Sequence, residues 1–358
     1  MKKVLIIEVG GSHTENLYSL ICLFKEQNLA VSLSCNESLF KLFPNNNEFE
    51  QSLLLPDDLS FRKQIFHFWK IRKFIQKNKF EAVVIGTTEI TLTRNLSFFL
   101  PLNITYTGII HNAKKLEKGS TIEKIVFRKV KKFIVLSNYL LNNITPLKKY
   151  RVAAFLPIYF PRVRVNEGLK KDNEIFITIP GLVENKRRDY LSFFNTLKQY
   201  QYNKQVKIIL LGKLGNEADF PFFDLLNSLN EWKNNIVYFN EYLNYETFHG
   251  YIALTDYLLP LIKTEEDSFY GNFRISGTFN LGLGYHKPFL LPNTYKENFD
   301  INAYSIFYNS YNRLFDLLIN NVNNELQNET QIIQNSYKKA YFNNTEKVSK
   351  NLVDFIVA

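Results

Sequence analysis

Two kinds of chemically capable residues recur at the ends of apolar runs. The first is histidine beside glycine and carboxylate. "EVGGSHTENL" sets His13 and Glu15 just after Gly10 and Gly11, and "GIIHNAKK" ends an apolar run on His111. A neutral imidazole, with an unperturbed pKa of about 6.5, can take a proton from a hydroxyl. His13 is the first candidate for that base. Glu15 either orients the ring or is itself the base, and His111 is a further candidate. The second kind is basic or small. "PGLVENKRRDY" holds Gly181, Lys186, Arg187 and Arg188; "LLGKLGN" holds Gly212, Lys213 and Gly215; "RISGTFNLGLG" opens a helix with Arg274, Ser276, Gly277 and Thr278. Cations together with the unpaired amides of a helix start are what a diphosphate needs.

Several chemistries are disfavoured by what the loops lack. The Gly10-Gly11 loop has neither the G-x-G-x-x-G spacing of dinucleotide binders nor a Walker lysine. There is no H-E-x-x-H and no carboxylate–histidine set at ligand spacing, so no metal and no cofactor is expected. A G-x-S-x-G nucleophile elbow is absent. Cys22 and Cys35 are the only cysteines, which excludes a disulfide framework and a cysteine-based zinc site and fits a reducing compartment. His67, His249 and His286 fall on helices or helix ends and receive no role.

The elements that must position these residues alternate strictly. "KVLIIEV", "AVSLSC", "FEAVVIGTT", "ITYTGIIHN" and "KKFIVLSN" read as strands, separated by helices such as "TENLYSLICLFKEQN" and Phe61 to Lys77. "YRVAAFLPIYFPRVRVNEGLKKDN" reads as a linker. After it, "EIFITIPG", "VKIILLG", "NIVYFN", "DYLLPLI" and "PFLLP" begin a second strand–helix series. The expected fold class is therefore α/β, with two Rossmann-like domains facing across a cleft. Residues 1–160 form the first domain and 161–340 the second, with 341–358 a terminal helix packing back on the first. Ligands of such sheets bind beyond the carboxyl ends of the strands, where the histidines and cations lie.

With 358 residues, 46% of them hydrophobic, the chain can bury two cores. A net charge of +10 points to an anionic partner. The helix "FRKQIFHFWKIRKFIQKNK" puts Arg62, Lys63, Lys70, Lys73 and Lys77 on one side with Phe66. Phe61, Ile65, Phe68 and Ile75 face the other way, toward the core, at about 100° per residue. Such a face suits an anionic membrane surface. No run approaches the ~18 apolar residues of a membrane span. The apolar run in "MKKVLIIEVGG" is too short for a signal peptide, and a cytoplasmic location is expected, at or near the inner face of the membrane. Nucleic acid is not expected as a partner, since no recognised nucleic-acid-binding signature is present.

In order, "EVGGSHTEN", "IIHNAKK", "KKFIVLSNYL", "PGLVENKRRDY", "VKIILLGKLG", "NIVYFNEYLNYETFHGYIALTDYLLPL" and "SGTFNLGLGYHKPFLLP" resemble the strand-end segments of GT-B glycosyltransferases over nearly the whole chain. The resemblance implies a nucleotide-sugar donor in the second domain and a glycan or lipid-linked acceptor in the first. It implies that Lys186, Arg187 and Lys213 meet the diphosphate, with Gly11, Gly181, Gly212 and Arg274 also at the donor. It places the base near Glu241, Tyr242 and Leu243, and the distal phosphate at Ser276, Gly277 and Thr278. One departure stands out. The family-four type carries two glutamates eight residues apart around the last helix, whereas Ser276 to Tyr285 has no acid; Glu265, Glu266 and Asp267 precede it. That favours inversion with a base from the first domain. The implied function is metal-independent sugar transfer in cell-surface polysaccharide synthesis. Two alternatives are a sugar-nucleotide epimerase of the same architecture and a catalytically inactive GT-B-like subunit.

Overall fold

The computed structural model describes residues 2–10, 13–43, 49–145, 148–216, 220–263, 272–320 and 325–358, with backbone alone at 320, 325 and 339–349. The chain divides into two compact units. One comprises Met1–Pro161, Asn272–Ile275 and Asn344–Ala358; the other comprises Arg162–Gly271 and Ser276–Asn343.

The first unit contains strands β1 (Lys3–Glu8), β2 (Ala30–Asn36), β3 (Gln51–Leu55), β4 (Ala82–Ile85), β5 (Thr105–Ile110), β6 (Lys132–Val135) and β7 (Arg151–Ala154). Its helices are α1 (Thr14–Glu26), α2 (Glu37–Phe40), α3 (Phe61–Asn78), α4 (Thr91–Ser97), α5 (Thr121–Lys129) and α6 (Asn138–Asn142). The sheet order is β3-β2-β1-β4-β5-β6-β7, with every pairing parallel. A parallel sheet is covered on both faces, so its central strands are continuously apolar. Val4 to Ile7 are fully buried for that reason. The period of two still sorts them: Val4 and Ile6 pack with Leu17, Leu20, Ile21 and Phe24 of α1, and Leu5 and Ile7 with Phe68, Ile71 and Ile75 of α3.

The second unit contains β8 (Ile175–Pro180), β9 (Val206–Lys213), β10 (Ile236–Phe239), β11 (Tyr257–Leu258), β12 (Phe289–Pro292) and β13 (Ser305–Tyr308). Its helices are α7 (Tyr190–Leu197), α8 (Phe222–Asn227), α9 (Tyr245–Leu254), α10 (Gly277–Tyr285), α11 (Tyr311–Phe315) and much of α12 (Glu325–Val357). The sheet order is β10-β9-β8-β11-β12-β13, again parallel throughout. Helix α10 starts on a Ser276 cap, whose Oγ accepts from the Thr278 amide at 3.4 Å. It stops at His286, which takes left-handed backbone, φ 54, just before Pro288, a residue that cannot continue a helix. Tyr337 of α12 donates to the carbonyl of Gly282 at 3.2 Å. Farther along α12, Leu352, Val353 and Ile356 are core residues of the first unit.

The sequence predicts fewer strands than are present. β7 lies inside the segment read as a linker; four residues, "RVAA", carry too little pattern to mark a strand without its parallel partner β6. β3 and β13 are also short edge strands outside the expected set. A second correction concerns α3. Phe61 and Ile65 share Phe68's side of the helix by angle, yet both are exposed. They lie two turns and one turn before Phe68, where the buried stripe of Phe68, Ile71 and Ile75 has not begun.

Candidate functional site

Each sheet reverses its order once, between β1 and β4 in the first unit and between β8 and β11 in the second. At such a switch point the connections leave in opposite directions and open a crevice at the carboxyl ends. His13 follows β1 at the first of these points, and Arg188 follows β8 at the second.

In the first unit, His13 ends the β1–α1 loop as the N-cap of α1, in left-handed backbone with φ 66. Its carbonyl accepts from the amides of Asn16 and Leu17 at 3.1 and 3.4 Å, so its backbone is tied to the first helical turn. His13 Nδ1 lies 3.4 Å from Glu15 Oε1. The ring stacks on His111, with centroids 3.9 Å apart and planes 24° apart. His111 follows β5, two strands away in the sheet, and its Nε2 donates to the Gly86 carbonyl after β4 at 3.3 Å.

Three carboxylates surround the pair. Glu8, fully buried at the end of β1, accepts from the Gly10 amide at 2.5 Å and the Thr87 hydroxyl at 2.8 Å. Glu89 accepts from the amides of His111 and Asn112 and lies 3.7 Å from Lys115. Burial alone would depress the His13 pKa; the contact with Glu15 and the charges of Glu15, Glu8 and Glu89 outweigh it and hold the imidazolium above its ordinary range. His111 goes the other way. Burial, and next the positive charge of His13, lower it to about 4. Burial likewise pushes Glu8 and Glu89 up. Burial would raise Glu15 too, but its contact with His13 wins and keeps it below the usual range. Two stacked rings thus have opposite character: one basic and partnered by a carboxylate, the other neutral. Close by in sequence, both amide atoms of Asn16 and the Asn112 carbonyl oxygen are buried with no protein partner among the described residues.

In the second unit the loops after β8, β9 and β10 are sewn together by backbone. Val183 donates to Lys213 at 3.0 Å, Gly215 to Val183 at 2.8 Å, and Leu214 to Phe239 at 3.0 Å. Gly181 has φ 101, a conformation side chains rarely adopt. A Cβ on Gly212 would overlap the Gly181 carbonyl. The glycines therefore let two strand ends touch. Across the switch point, Asp189 donates to Leu261 and Lys263 to Arg187, each at 3.0 Å. This pairing turns Arg188 inward. Its Nη2 donates to the Pro180 carbonyl, its head group lies against Gly181, and its Nε is buried without a partner among the described residues. Arg187 points elsewhere, exposed and paired with Glu184 at 2.7 Å. Lys186 is exposed. Lys213 Nζ sits 5.3 Å from the centre of the exposed Tyr242 ring, with Leu243 partly buried beside it. Gly277, the first residue of α10, is exposed, and a Cβ there would meet nothing. Thr278 is buried.

Sequence and structure part over Arg274 and over which side chains carry the charge. Gly11 lies outside the described residues. Arg274, read as a donor contact of the second half, belongs to Asn272–Ile275 in the first unit. The cause is apolar: Phe273 and Ile275 pack on the first unit's core, and the Phe273 carbonyl accepts from Ala113 at 2.9 Å. There its charge acts on His111 and Glu89. Arg188, Glu8 and Glu89 carry the local electrostatics; Arg188 and Glu8 stand within the motif segments of the sequence, and Glu89 does not.

No family model matches the chain, and no curated protein sequence matches it. Solved structures do. The chain is similar to Anabaena Alr3699/HepE, a structure in complex with UDP and glucose: 11% identity, 99% of each chain covered, TM-score 0.66. It is similar to a glycosyltransferase from Rickettsia africae ESF-5, with 13% identity, 99% of this chain and 97% of that one covered and a TM-score of 0.61. It is also similar to UDP-GlcNAc 2-epimerase from Neisseria meningitidis bound to UDP-GlcNAc, with 14% identity, 98% of each chain covered and a TM-score of 0.55. At this identity the likeness concerns the fold: two parallel α/β sheets built as in GT-B glycosyltransferases.

Proposed function

We propose that the protein is a glycosyltransferase moving a sugar from a nucleotide-sugar donor to a hydroxyl of a glycan or lipid-linked acceptor in cell-surface polysaccharide synthesis. The observation that carries the reading is the opposite furnishing of the two switch points. One holds a carboxylate-partnered, basic histidine. The other holds an inward-turned arginine with an unpartnered Nε.

The second unit holds the donor diphosphate. Arg188 and Lys213, with Lys186 and Arg187 as outer charges, neutralise the leaving group as its bond to the sugar breaks. The α10 start at Ser276 and Gly277 offers amides to a phosphate. Tyr242 and Leu243 border the base. The first unit supplies the acceptor hydroxyl and its base. His13 Nδ1–H donates to Glu15, which leaves the Nε2 lone pair to take the hydroxyl proton as oxygen bonds to the sugar carbon. His111 stays neutral and stacked, holding the ring in place. The nucleoside diphosphate departs with the electrons of the broken bond. Because the cations neutralise the leaving group, the reaction needs no metal.

The test is to incubate the protein with a panel of nucleotide sugars and candidate acceptors. Release of nucleoside diphosphate with label moved to acceptor is expected. Recovery of an epimerised nucleotide sugar instead would assign the fold to the epimerase reading, and binding without turnover would assign it to an inactive subunit.

A further inference from the structure

Helix α3 takes no part in either switch point, and its outer face is unusual. It carries six lysines and arginines and no acidic residue. Between the cations stand large apolar side chains in solvent: Phe61 is 71% exposed, Phe66 59%, Trp69 48% and Ile65 43%. Lys70 Nζ lies 4.3 Å from the centre of the Phe66 ring, and Arg72 5.6 Å from that of Trp69. Helix α4 is tied to α3 by Asn95 donating to Gln64 at 2.8 Å and by Arg72 donating to the Phe99 carbonyl at 3.0 Å. Its end adds Phe98, 66% exposed.

Charge follows the same division. Residues 1–161 carry 23 Lys and Arg against 12 Asp and Glu, a net +11; residues 162–358 carry 21 against 22, a net −1. The whole positive excess of the chain is in the part that presents α3. A protein partner would be met by apolar groups without this cation excess. A nucleic acid would be met by the cations and would stack on the rings, but it leaves aliphatic Ile65, exposed beside them, unused. A lipid interface uses both at once: aromatic and aliphatic side chains enter the headgroup–acyl boundary while lysines and arginines meet anionic headgroups.

We propose that α3 docks the first unit on an anionic lipid bilayer, with Phe61, Ile65, Phe66 and Trp69 entering the interface and Lys70 and Lys73 engaging the headgroups. The inference is independent of the transferase reading, and its test contains no sugar nucleotide.

The chain reports on itself, because it has two tryptophans and the other, Trp232, is 2% exposed. The full chain is titrated with phosphatidylcholine vesicles, with and without phosphatidylglycerol, while tryptophan emission is followed. A blue shift with the anionic vesicles, quenched by brominated lipid and weakened by salt, is expected. Trp69→Phe should keep co-sedimentation with the vesicles and lose the shift. Lys70→Gln and Lys73→Gln should each weaken binding about fivefold, and Phe61→Ser should weaken it at constant charge. Circular dichroism checks that these exposed substitutions leave the fold intact. No shift, or the same shift with pure phosphatidylcholine, would overturn the proposal. So would an equal response to a random oligonucleotide, or a concentration-dependent shift without lipid, which would identify a nucleic acid or a second copy as the occupant.

Discussion

The two switch points invert the charge of the units that carry them. The first unit is strongly basic, yet its strand ends bury Glu8, largely cover Glu89 and keep Glu15 beside His13. The second is close to neutral, yet its strand ends collect Arg188, Lys213, Lys186 and Arg187. Bulk charge is set by surfaces such as α3. Site charge is set by which side chains the strand ends turn inward. The difference teaches that net charge speaks for the surface, while the chemistry is carried by a few local contacts.

Under the proposed function the first unit removes the proton and the second binds the diphosphate, and the largest effect should come from the base. His13→Ala should lower turnover by at least ~100-fold, the lower range for a positioned base, while diphosphate affinity stays within a few-fold. Wild-type turnover would make His13 structural and move Glu15 and His111 ahead of it. In the second unit, Arg188→Ala should weaken nucleoside diphosphate binding about tenfold or more, the scale of one charge-assisted contact. Arg187→Ala should cost less, because its guanidinium already pairs with Glu184. Equal losses would mean that Arg187 leaves Glu184 for the ligand.

Stability sharpens the contrast within α10. A Cβ at Gly282 would overlap the Phe289 ring, so Gly282→Ala should cost about 1–3 kcal/mol in denaturant unfolding. Gly277→Ala meets open space; it should leave stability unchanged or slightly raised and lower diphosphate affinity instead. A destabilised Gly277→Ala with unchanged affinity would place that residue in packing.

pH separates the stacked histidines. A base must be neutral, and the His13 pKa is held above its ordinary value, so turnover should rise with pH through a midpoint above about 6.5. Glu15→Gln removes the hydrogen-bonded carboxylate and should move that midpoint toward acid. His111, at about 4, should contribute nothing to the limb. The linkage signs are opposite as well. The raised His13 pKa contributes stability below its unfolded value that is lost as pH climbs through the folded one. The depressed His111 pKa makes stability fall as pH drops from about 6.5 toward 4. The smallest expected effect is that of chelation: turnover should survive EDTA, and loss restored by manganese or magnesium would contradict neutralisation by the cations.

Much of the fold was legible because buried parallel strands are continuous apolar runs, as Val4 to Ile7 and Ile208 to Leu211 are. β3, β7 and β13 escaped notice because each is a short edge strand marked mainly by its neighbour. The glycine and histidine loops were visible as motifs. The inward turn of Arg188 was not, since it depends on pairing with the chain after β11. Neither was Glu89, whose partners His111 and Asn112 lie more than twenty residues away in the chain. The exposure of Phe61 and Ile65 was hidden for a related reason: periodicity gives a side of the helix and says nothing of where the core ends along it.

The most direct test of the division of labour is calorimetric titration of UDP, GDP, ADP and dTDP into the wild-type, His13→Ala and Arg188→Ala proteins. One of these diphosphates should bind the wild type and His13→Ala alike and bind Arg188→Ala about tenfold or more weakly. Affinity lost in His13→Ala and kept in Arg188→Ala, or no binding of any of the four to the wild type, would contradict that division.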